Sequence, residues 1–323
     1  MRHAQRSLCI LVAGLALAAM GILTLRGSPT GEFWPPKKAP PLQWGGVRER
    51  QELLGGMRIV SLSPSVTEML FVLDVGESIV GVTDYCNYPP EAKRIECVGG
   101  FGRPNVEKLL ALAPDLVVAS GFERTDIARE LRKSGIQVVD VTIRNVDEMF
   151  QELRHVGDAV GKRPRADQIV ASMQAELKRI ASRSGNPRHG PLPRVFIELW
   201  DDPLTTAGGG SFLDDLVSRA GGVNVAHDLA QPHPRISPEK VLEWNPDVLV
   251  IAHMSRGAGS AAQIAERIGW SDLAAVKNGK VFCDIPTDLL LRPGPRLIDG
   301  VKALAQRLRG VVPESKPAAN EVN

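Results

Sequence analysis

Two similar stretches occur in this chain, "NVEKLLALAPDLVVAS" at residues 105–120 and "SPEKVLEWNPDVLVIA" at residues 237–252. Each contains Glu-Lys near its start, then a leucine, then Pro-Asp followed by an apolar run. Because Pro ends a helix and Asp is tolerated in a turn, each stretch predicts a helix followed by a buried strand. The repetition favours two related α/β lobes, although a coincidental reuse of a common helix-to-strand turn would also explain it.

The segments around both stretches follow the same plan. "MRIVSLSP" at 57–64 predicts a strand, and "SVTEMLFVLDVG" at 65–76 predicts a helix that Gly76 ends. In the second half, "RVFIEL" at 194–199 predicts a strand and "SFLDDLVSRAGG" at 211–222 a helix. Apolar strands that alternate with helices are typical of a parallel sheet covered on both faces.

A helical segment separates the two predicted lobes. After Pro164, apolar residues recur at helical spacing through Ile180. This pattern predicts a helix of about twenty residues, which would be about 30 Å long and would hold the lobes at a nearly fixed separation. The predicted fold class is therefore α/β, with two doubly wound lobes joined by a single long backbone helix and a ligand cleft between the lobes.

The N-terminus predicts export. Residues 1–6 are basic and residues 8–25 are apolar, which is the layout of a secretory signal or of a retained membrane anchor. We therefore expect a periplasmic or extracytoplasmic protein. The predicted organisation is a signal peptide or anchor (1–26), a Pro/Gly-rich linker (27–56), a first lobe (57–143), a helical bridge (144–190), a second lobe (191–312) and a disordered tail (313–323).

The composition narrows the possible partners and cofactors. The 323 residues carry a net charge of +2, so overall charge gives no reason to expect a nucleic-acid partner. The Cys and His residues lack zinc-site spacing, and we expect no resident metal or cofactor. Either Cys86 and Cys97 form a disulfide, or Cys86, Cys97 and Cys283 are three small buried side chains.

Four motifs carry a resemblance to a known family: "RIVSLSPSVTEMLFVL" (58–73), "VGVTDYCNYPPEA" (80–92), "NVEKLLALAPDLVVA" (105–119) and "RPGPRLIDGVKAL" (292–304). Over about residues 57–310 the chain resembles the helical-backbone substrate-binding proteins of ABC importers, which bind cobalamin, ferric siderophores or haem. Within that family it is most similar to the cobalamin-binding members. The resemblance implies an ABC permease dimer as partner and cobalamin or a related corrinoid as ligand, with a ferric siderophore or haem as the alternative. It implies binding and delivery rather than catalysis.

The candidate ligand-binding residues follow the strands of both lobes, because ligands of α/β sheets bind at the carboxyl ends of the strands. Tyr85, Phe101, Asp288 and Arg292 also match positions that the resemblance implies. The full set is Ser63, Pro64, Ser65, Tyr85, Phe101, Phe122, Trp200, His253, Asp288 and Arg292. Arg103 and Arg292 either hold ligand carboxylates or form ordinary surface ion pairs. His233 or His253 either reaches a metal ion of the ligand or makes only local hydrogen bonds.

The resemblance also implies that Glu107 and Glu239, the two repeated glutamates, dock onto basic residues of the permease. Two exposed carboxylates, one in each lobe, would suit a symmetric dimer. A glutamate in the first turn of a helix also stabilises that helix without any partner.

The sequence also allows interpretations other than a transport protein, and two glycine-rich motifs bear on them. "GAGSAA" at 257–262 fits the dinucleotide pattern G-x-G-x-x-A and would indicate an NAD-dependent enzyme, although residues 253–256 separate it from the preceding strand. "AGGGS" at 207–211 is either a phosphate cradle or a glycine-lined turn that faces the ligand. A membrane-anchored interaction module without a ligand is a further interpretation.

Overall fold

The computed structural model describes residues 56–121, 125–184, 191–253, 259–311 and 313. The predicted signal or anchor, the linker up to residue 55 and the tail from residue 314 lie outside these residues. Within the described ranges, no helix has the length and apolar character needed to cross a membrane.

The first lobe contains a four-stranded parallel sheet and a small hairpin. Its elements are β1 (Ile59–Ser61), α1 (Pro64–Val72), β2 (Ile79–Val82), β3 (Gly99–Gly100), β4 (Arg103–Pro104), α2 (Val106–Ala111), β5 (Leu116–Ser120), α3 (Asp126–Lys133) and β6 (Gln137–Val141). The sheet order is β2-β1-β5-β6, while β3 and β4 pair antiparallel. Asn105 accepts a hydrogen bond from the Lys108 backbone and so caps α2 as an N-terminal asparagine is expected to do.

Two helices connect the lobes, α4 (Val146–Ala159) and α5 (Arg163–Ser184). The 22 residues of α5 correspond to about 33 Å at 1.5 Å per residue. Its apolar residues are buried along one face, namely Ala166, Ile169, Val170, Met173, Leu177 and Ile180. The predicted long backbone helix is therefore confirmed, with α4 packed beside it.

The second lobe has a five-stranded sheet. Its elements are β7 (Arg194–Asp201), β8 (Leu204–Thr206), α6 (Phe212–Ala220), β9 (Val223–Asn224), α7 (Pro238–Trp244), β10 (Val248–Ile251), α8 (Ala261–Ala265), α9 (Ala274–Lys277), β11 (Val281–Phe282), α10 (Thr287–Leu291) and α11 (Leu297–Leu308). Strands β9 and β10 pair parallel with β7, and β11 pairs parallel with β10. Strand β8 pairs antiparallel with β7.

The two sheets share one strand order. In the first lobe β1 lies between β2 and β5, and β6 lies beyond β5. In the second lobe β7 lies between β9 and β10, and β11 lies beyond β10. The two repeated stretches form equivalent units of the two lobes. The first stretch forms helix α2 and strand β5, and the second forms helix α7 and strand β10. The prediction of two α/β lobes is therefore confirmed, with β8 as an addition to the second.

Each repeated aspartate has a more specific role than tolerating a turn. The backbone N–H of Arg58 donates to Asp115 Oδ2 at 2.7 Å, and that of Arg194 donates to Asp247 Oδ2 at 2.8 Å. Arg58 immediately precedes β1 and Arg194 is the first residue of β7, so each arginine lies at the start of the first strand of a lobe. Their guanidinium groups donate to carbonyl oxygens at the carboxyl ends of α2 and α7, those of Leu112 and Trp244 respectively. Each Arg-Asp arrangement thus fastens the first strand of a lobe to its repeated helix-turn-strand unit.

The end of α1 differs from the prediction. The helix ends at Val72 with Leu73 as its cap, and Asp74 adopts a left-handed backbone with φ 59°. Gly76 begins a short 3₁₀ turn instead of ending the helix. A Cβ at Gly76 would lie 2.6 Å from the ring of Phe71, so glycine allows this turn to pack against that ring.

Candidate ligand-binding site

The two lobes contact each other through segments that follow strands of the two sheets. Residues that follow β1 and β2 in the first lobe contact the segment that follows β11 in the second. Arg292 Nη1 donates to Asn87 Oδ1 at 2.7 Å, and Arg296 Nε donates to Glu68 Oε2 at 3.0 Å. Arg292 also donates to the Tyr85 carbonyl at 3.4 Å, so the junction brings together two of the predicted site residues, one from each lobe.

The three residues predicted after β1 begin α1. Ser63 is the N-cap and Pro64 the first helical residue, a position where proline is well tolerated. Ser63 and Ser65 are buried, and their hydroxyl groups share a hydrogen bond of 2.9 Å. Their polar groups are thus partly satisfied within the first lobe.

Three of the predicted aromatic residues are exposed. The exposed fraction is 61% for Tyr85, 53% for Phe101 and 37% for Trp200. Tyr85 and Phe101 lie on adjoining loops, because the Asp84 N–H donates to Gly99 O at 3.1 Å. The Trp200 indole donates to Asp202 O at 2.7 Å, at the carboxyl end of β7. These rings offer apolar surface at the carboxyl ends of both sheets, where a ligand would lie.

His253 is buried and belongs to a polar cluster of the second lobe. Its Nε2 lies 2.8 Å from Oε1 of the fully buried Glu198, and because a carboxylate accepts, this nitrogen carries a proton. Arg267 donates to both oxygens of Glu198, at 2.5 and 2.8 Å, and stacks over the ring of Trp270. Of the two imidazole nitrogens, only Nδ1 remains for a possible ligand contact.

Asp288 and Arg292 form an ion pair at 3.0 Å, and Arg292 also lies 3.6 Å from Glu68 Oε1. Arg296 donates twice to the fully buried Glu68. Burial raises the pKa of Glu68, although the hydrogen bonds from Arg296 and the charge of Arg292 oppose this shift. Burial is the largest single effect on Arg296 and disfavours its charge, but the hydrogen bond to Glu68 and the charges of Glu68 and Asp288 together outweigh it and raise the pKa of Arg296. The charge of Arg292 is thus partly neutralised by carboxylates of the protein, so the predicted ligand-carboxylate contact has internal competitors.

Sequence reasoning missed Glu68, Asn87, Glu198 and Arg296. Two of these residues leave a signal in the sequence, because Glu68 lies within the apolar run of α1 and Glu198 lies within that of β7. A charged side chain inside an apolar element needs a buried partner. The signal does not identify the partner of Glu68, which is more than two hundred residues away.

The glycines of "AGGGS" have a structural explanation. Gly208 N donates to Pro232 O at 3.0 Å and Gly209 N to Leu229 O at 2.9 Å. A Cβ would lie 2.0 Å from Gln231 O at Gly208 and 1.8 Å from His227 O at Gly209. Since these two N–H groups bond to a neighbouring loop that requires glycine, neither the phosphate cradle nor the ligand-facing turn accounts for Gly208 and Gly209.

Among the described residues, Cys86, Cys97 and Cys283 are free, and no Cys86–Cys97 disulfide is present in this structure. Cys86 is buried, and its sulfur lies 3.1 Å from Thr83 Oγ1. Cys97 is exposed and Cys283 is half-buried. Burial raises the pKa of the Cys283 thiol.

Two predicted regions lie partly or wholly outside the described residues. The first is Phe122, and the second is the "GAGSAA" motif, of which Gly257 and Ala258 lie outside. In the described part of that motif, Ser260 forms a capping box with Gln263 at the start of α8. Its hydroxyl therefore has a local role in starting a helix.

The predicted docking glutamates are both exposed, in the first turns of α2 and α7. A hydrogen bond from the Ser237 hydroxyl lowers the pKa of Glu239, which favours its charged form. The repeated lysines beside them have acidic partners, Glu96 for Lys108 and Glu243 for Lys240.

A cavity of about 750 Å³ lies away from the predicted site. It is lined by the start of α4 and by α6 and β9, and it includes Asp215, Arg219 and His227. Its charges are paired locally, with Arg219 bound to Asp215 and Asp147, and His227 to Asp214. We therefore place the candidate site at the carboxyl ends of the sheets.

The fold and the junction define a two-lobed binding protein. Residues 59–286 match the model of the periplasmic binding protein family, and the chain belongs to that family. It is 35% identical over 256 residues to an uncharacterised ABC transporter substrate-binding lipoprotein of Bacillus subtilis, covering 78% of this chain and 79% of that protein. It is 29% identical over 264 residues to a vitamin B12-binding protein of Pectobacterium carotovorum, covering 81% and 91% respectively.

Solved structures give the same class. The vitamin B12-binding protein BtuF of Vibrio cholerae superposes with a TM-score of 0.66 at 28% identity, covering 78% of this chain and 96% of that chain. The haem-binding protein RhuT of Roseiflexus sp. RS-1 superposes with a TM-score of 0.68 at 29% identity, covering 79% and 98%. Since these two proteins differ in ligand, the similarity defines the class of protein without selecting between corrinoid and haem.

Proposed function

We propose that this chain is the extracytoplasmic solute-binding protein of an ABC importer, and that it binds cobalamin or a related corrinoid between its lobes. Its family and the substrate-binding relatives support the transport role. An ABC permease dimer would receive the ligand. Residues 8–25 would act as an export signal or remain as an anchor to the membrane.

One observation favours a corrinoid over an acidic ligand. Arg292 and Arg296 are already bound by Glu68 and Asp288, whereas Tyr85 and Trp200 remain exposed. Exposed rings suit the apolar faces of a corrin, while haem propionates and siderophore carboxylates prefer available guanidinium groups. Arg103 is the exposed cation that an acidic ligand would use, beside Phe101 on the hairpin.

A haem or ferric siderophore is the second candidate. His253 favours it, because an imidazole whose Nε2 contacts Glu198 can present its Nδ1 to a metal ion. The similarity to a haem-binding structure supports it as well. An NAD-dependent enzyme and a ligand-free interaction module have less support, since the relatives described above are binding proteins.

Titration calorimetry with cyanocobalamin, haemin, a ferric siderophore and NADH tests the proposal. We expect cyanocobalamin to bind at least about tenfold more tightly than haemin, a difference of about 1.4 kcal/mol. Tighter binding of haemin, with a shifted Soret band, would establish the second candidate instead. Binding of NADH alone would favour the enzyme, and absence of binding by the whole panel would favour the interaction module.

A further inference from the structure

The contact between the lobes contains a buried carboxylate that is shared by two arginines of the other lobe. Glu68 lies on α1 of the first lobe and is fully buried. Arg296 Nη2 donates to its Oε1 at 2.5 Å and Arg296 Nε to its Oε2 at 3.0 Å, while Arg292 Nη1 lies 3.6 Å from Oε1. A buried carboxylate depends strongly on such partners, because water cannot replace them.

The same two arginines hold the loop that follows β2, residues 83–88, which we call the Tyr85 loop. Arg292 Nη1 donates to Asn87 Oδ1 at 2.7 Å, and its Nη2 donates to the Tyr85 carbonyl at 3.4 Å. The Arg296 guanidinium lies over the ring of Tyr88, 3.9 Å from its centroid. The second lobe therefore contacts this first-lobe loop at Tyr85, Asn87 and Tyr88.

We propose that Glu68, Arg292 and Arg296 are positioning residues, which join the lobes and hold the Tyr85 loop so that the Tyr85 ring is preorganised for the ligand. Glu68 orients both guanidinium groups, and Arg292 transmits that orientation to the loop through Asn87. Preorganisation of this kind increases affinity because the loop loses less conformational freedom on binding. The inference rests on the proposed function, since it assigns a ligand contact to Tyr85.

A double-mutant cycle separates positioning from simple stabilisation. Asn87 is exposed, so Asn87→Ala should fold, whereas a Glu68 substitution removes a buried charge. We expect Asn87→Ala to weaken cyanocobalamin binding about tenfold, the factor associated with one hydrogen bond to a charged group. In a Tyr85→Ala background the same substitution should have little further effect. Asn87→Asp keeps an acceptor for Arg292 and should restore most of the affinity.

The control is Lys108→Ala, which removes an exposed ion pair with Glu96 in the same lobe and should leave affinity unchanged. Additive effects of Asn87→Ala and Tyr85→Ala would overturn the positioning role. Hydrogen exchange of the ligand-free protein gives an independent result, because Asn87→Ala should accelerate exchange at residues 84–88. If the wild-type chain fails to bind cyanocobalamin, the proposed ligand is wrong. Unchanged hydrogen exchange at residues 84–88 in Asn87→Ala would separately refute the role of Arg292 in holding the Tyr85 loop.

Discussion

At the scale of single residues, the two repeated aspartates make the same bond in different surroundings. Asp115 and Asp247 each accept the backbone N–H of the arginine at the start of the first strand of their lobe. Asp115 is exposed, whereas Asp247 is buried. Loss of a buried acceptor leaves its donor without a substitute, while water can replace an exposed one.

We therefore predict that Asp247→Ala lowers the free energy of unfolding more than Asp115→Ala does. The expected losses are about 1–3 kcal/mol for Asp247→Ala and about 1 kcal/mol or less for Asp115→Ala. Urea denaturation of the two variants and the wild type measures both values. Equal losses, or a larger loss for Asp115→Ala, would show that burial does not set the strength of these bonds.

Tyr85 and Phe101 are the residues on which the ligand proposal depends most directly. We predict that Tyr85→Ala and Phe101→Ala each weaken cyanocobalamin binding by about 1–3 kcal/mol, because each ring would lose apolar area buried against the ligand. Leu192→Ala is a matched control, since Leu192 is also exposed but precedes β7 at the opposite end of the sheet. Unchanged affinity in both aromatic variants would place the ligand elsewhere.

At the scale of secondary-structure elements, the position of α10 against α11 depends on one glycine. Gly300 lies within α11, and a Cβ there would be 2.2 Å from the Leu289 carbonyl oxygen of α10. The residues of α10 and the segment after it include Asp288 and Arg292. A displacement of α10 would therefore reach the junction between the lobes.

We predict that Gly300→Ala destabilises the protein by about 1–3 kcal/mol through overpacking. The sign of the change in the free energy of unfolding is informative, because Ala is otherwise more favourable than Gly in a helix by up to about 1 kcal/mol. Thermal or urea denaturation checks the prediction, with Gln306→Ala on the exposed face of α11 as control. A Gly300→Ala variant as stable as the control would mean that α10 adjusts without cost.

At the scale of the whole molecule, the repeat places one exposed glutamate at the start of an equivalent helix in each lobe. Glu107 begins α2 and Glu239 begins α7. The strand orders around these helices are equivalent, so a symmetric partner would meet similar surroundings at both positions.

We predict that the double variant Glu107→Ala, Glu239→Ala keeps wild-type ligand affinity and weakens coupling to the permease by about tenfold, since rim charges guide association. Ligand-stimulated ATP hydrolysis by the reconstituted permease measures the coupling. A control variant with Glu130→Ala and Glu266→Ala removes one exposed glutamate from each lobe at positions that the sequence does not repeat. Wild-type coupling in the docking variant would refute the role of the two glutamates.

Local patterns in the sequence determined the elements and the class of fold. The apolar spacing after Pro164 predicted α5, and the repeated Pro-Asp stretches predicted two lobes, because helix ends and buried strands depend on neighbouring residues. The same reasoning identified exposed aromatic residues that follow the strands. It did not place the end of α1, where packing of Phe71 against Gly76 decided the turn.

The junction of the lobes was decided only by the tertiary structure. Glu68 and Arg296 are separated by most of the chain, and nothing in the spacing of either residue selects the other. Likewise, the glycines of "AGGGS" suggested a ligand contact until the neighbouring loop was seen to occupy the space beside them. Sequence periodicity shows which face of an element is buried, whereas the partner of a buried charge depends on how distant elements pack. The pairing of charged residues at the candidate site therefore follows from the tertiary structure.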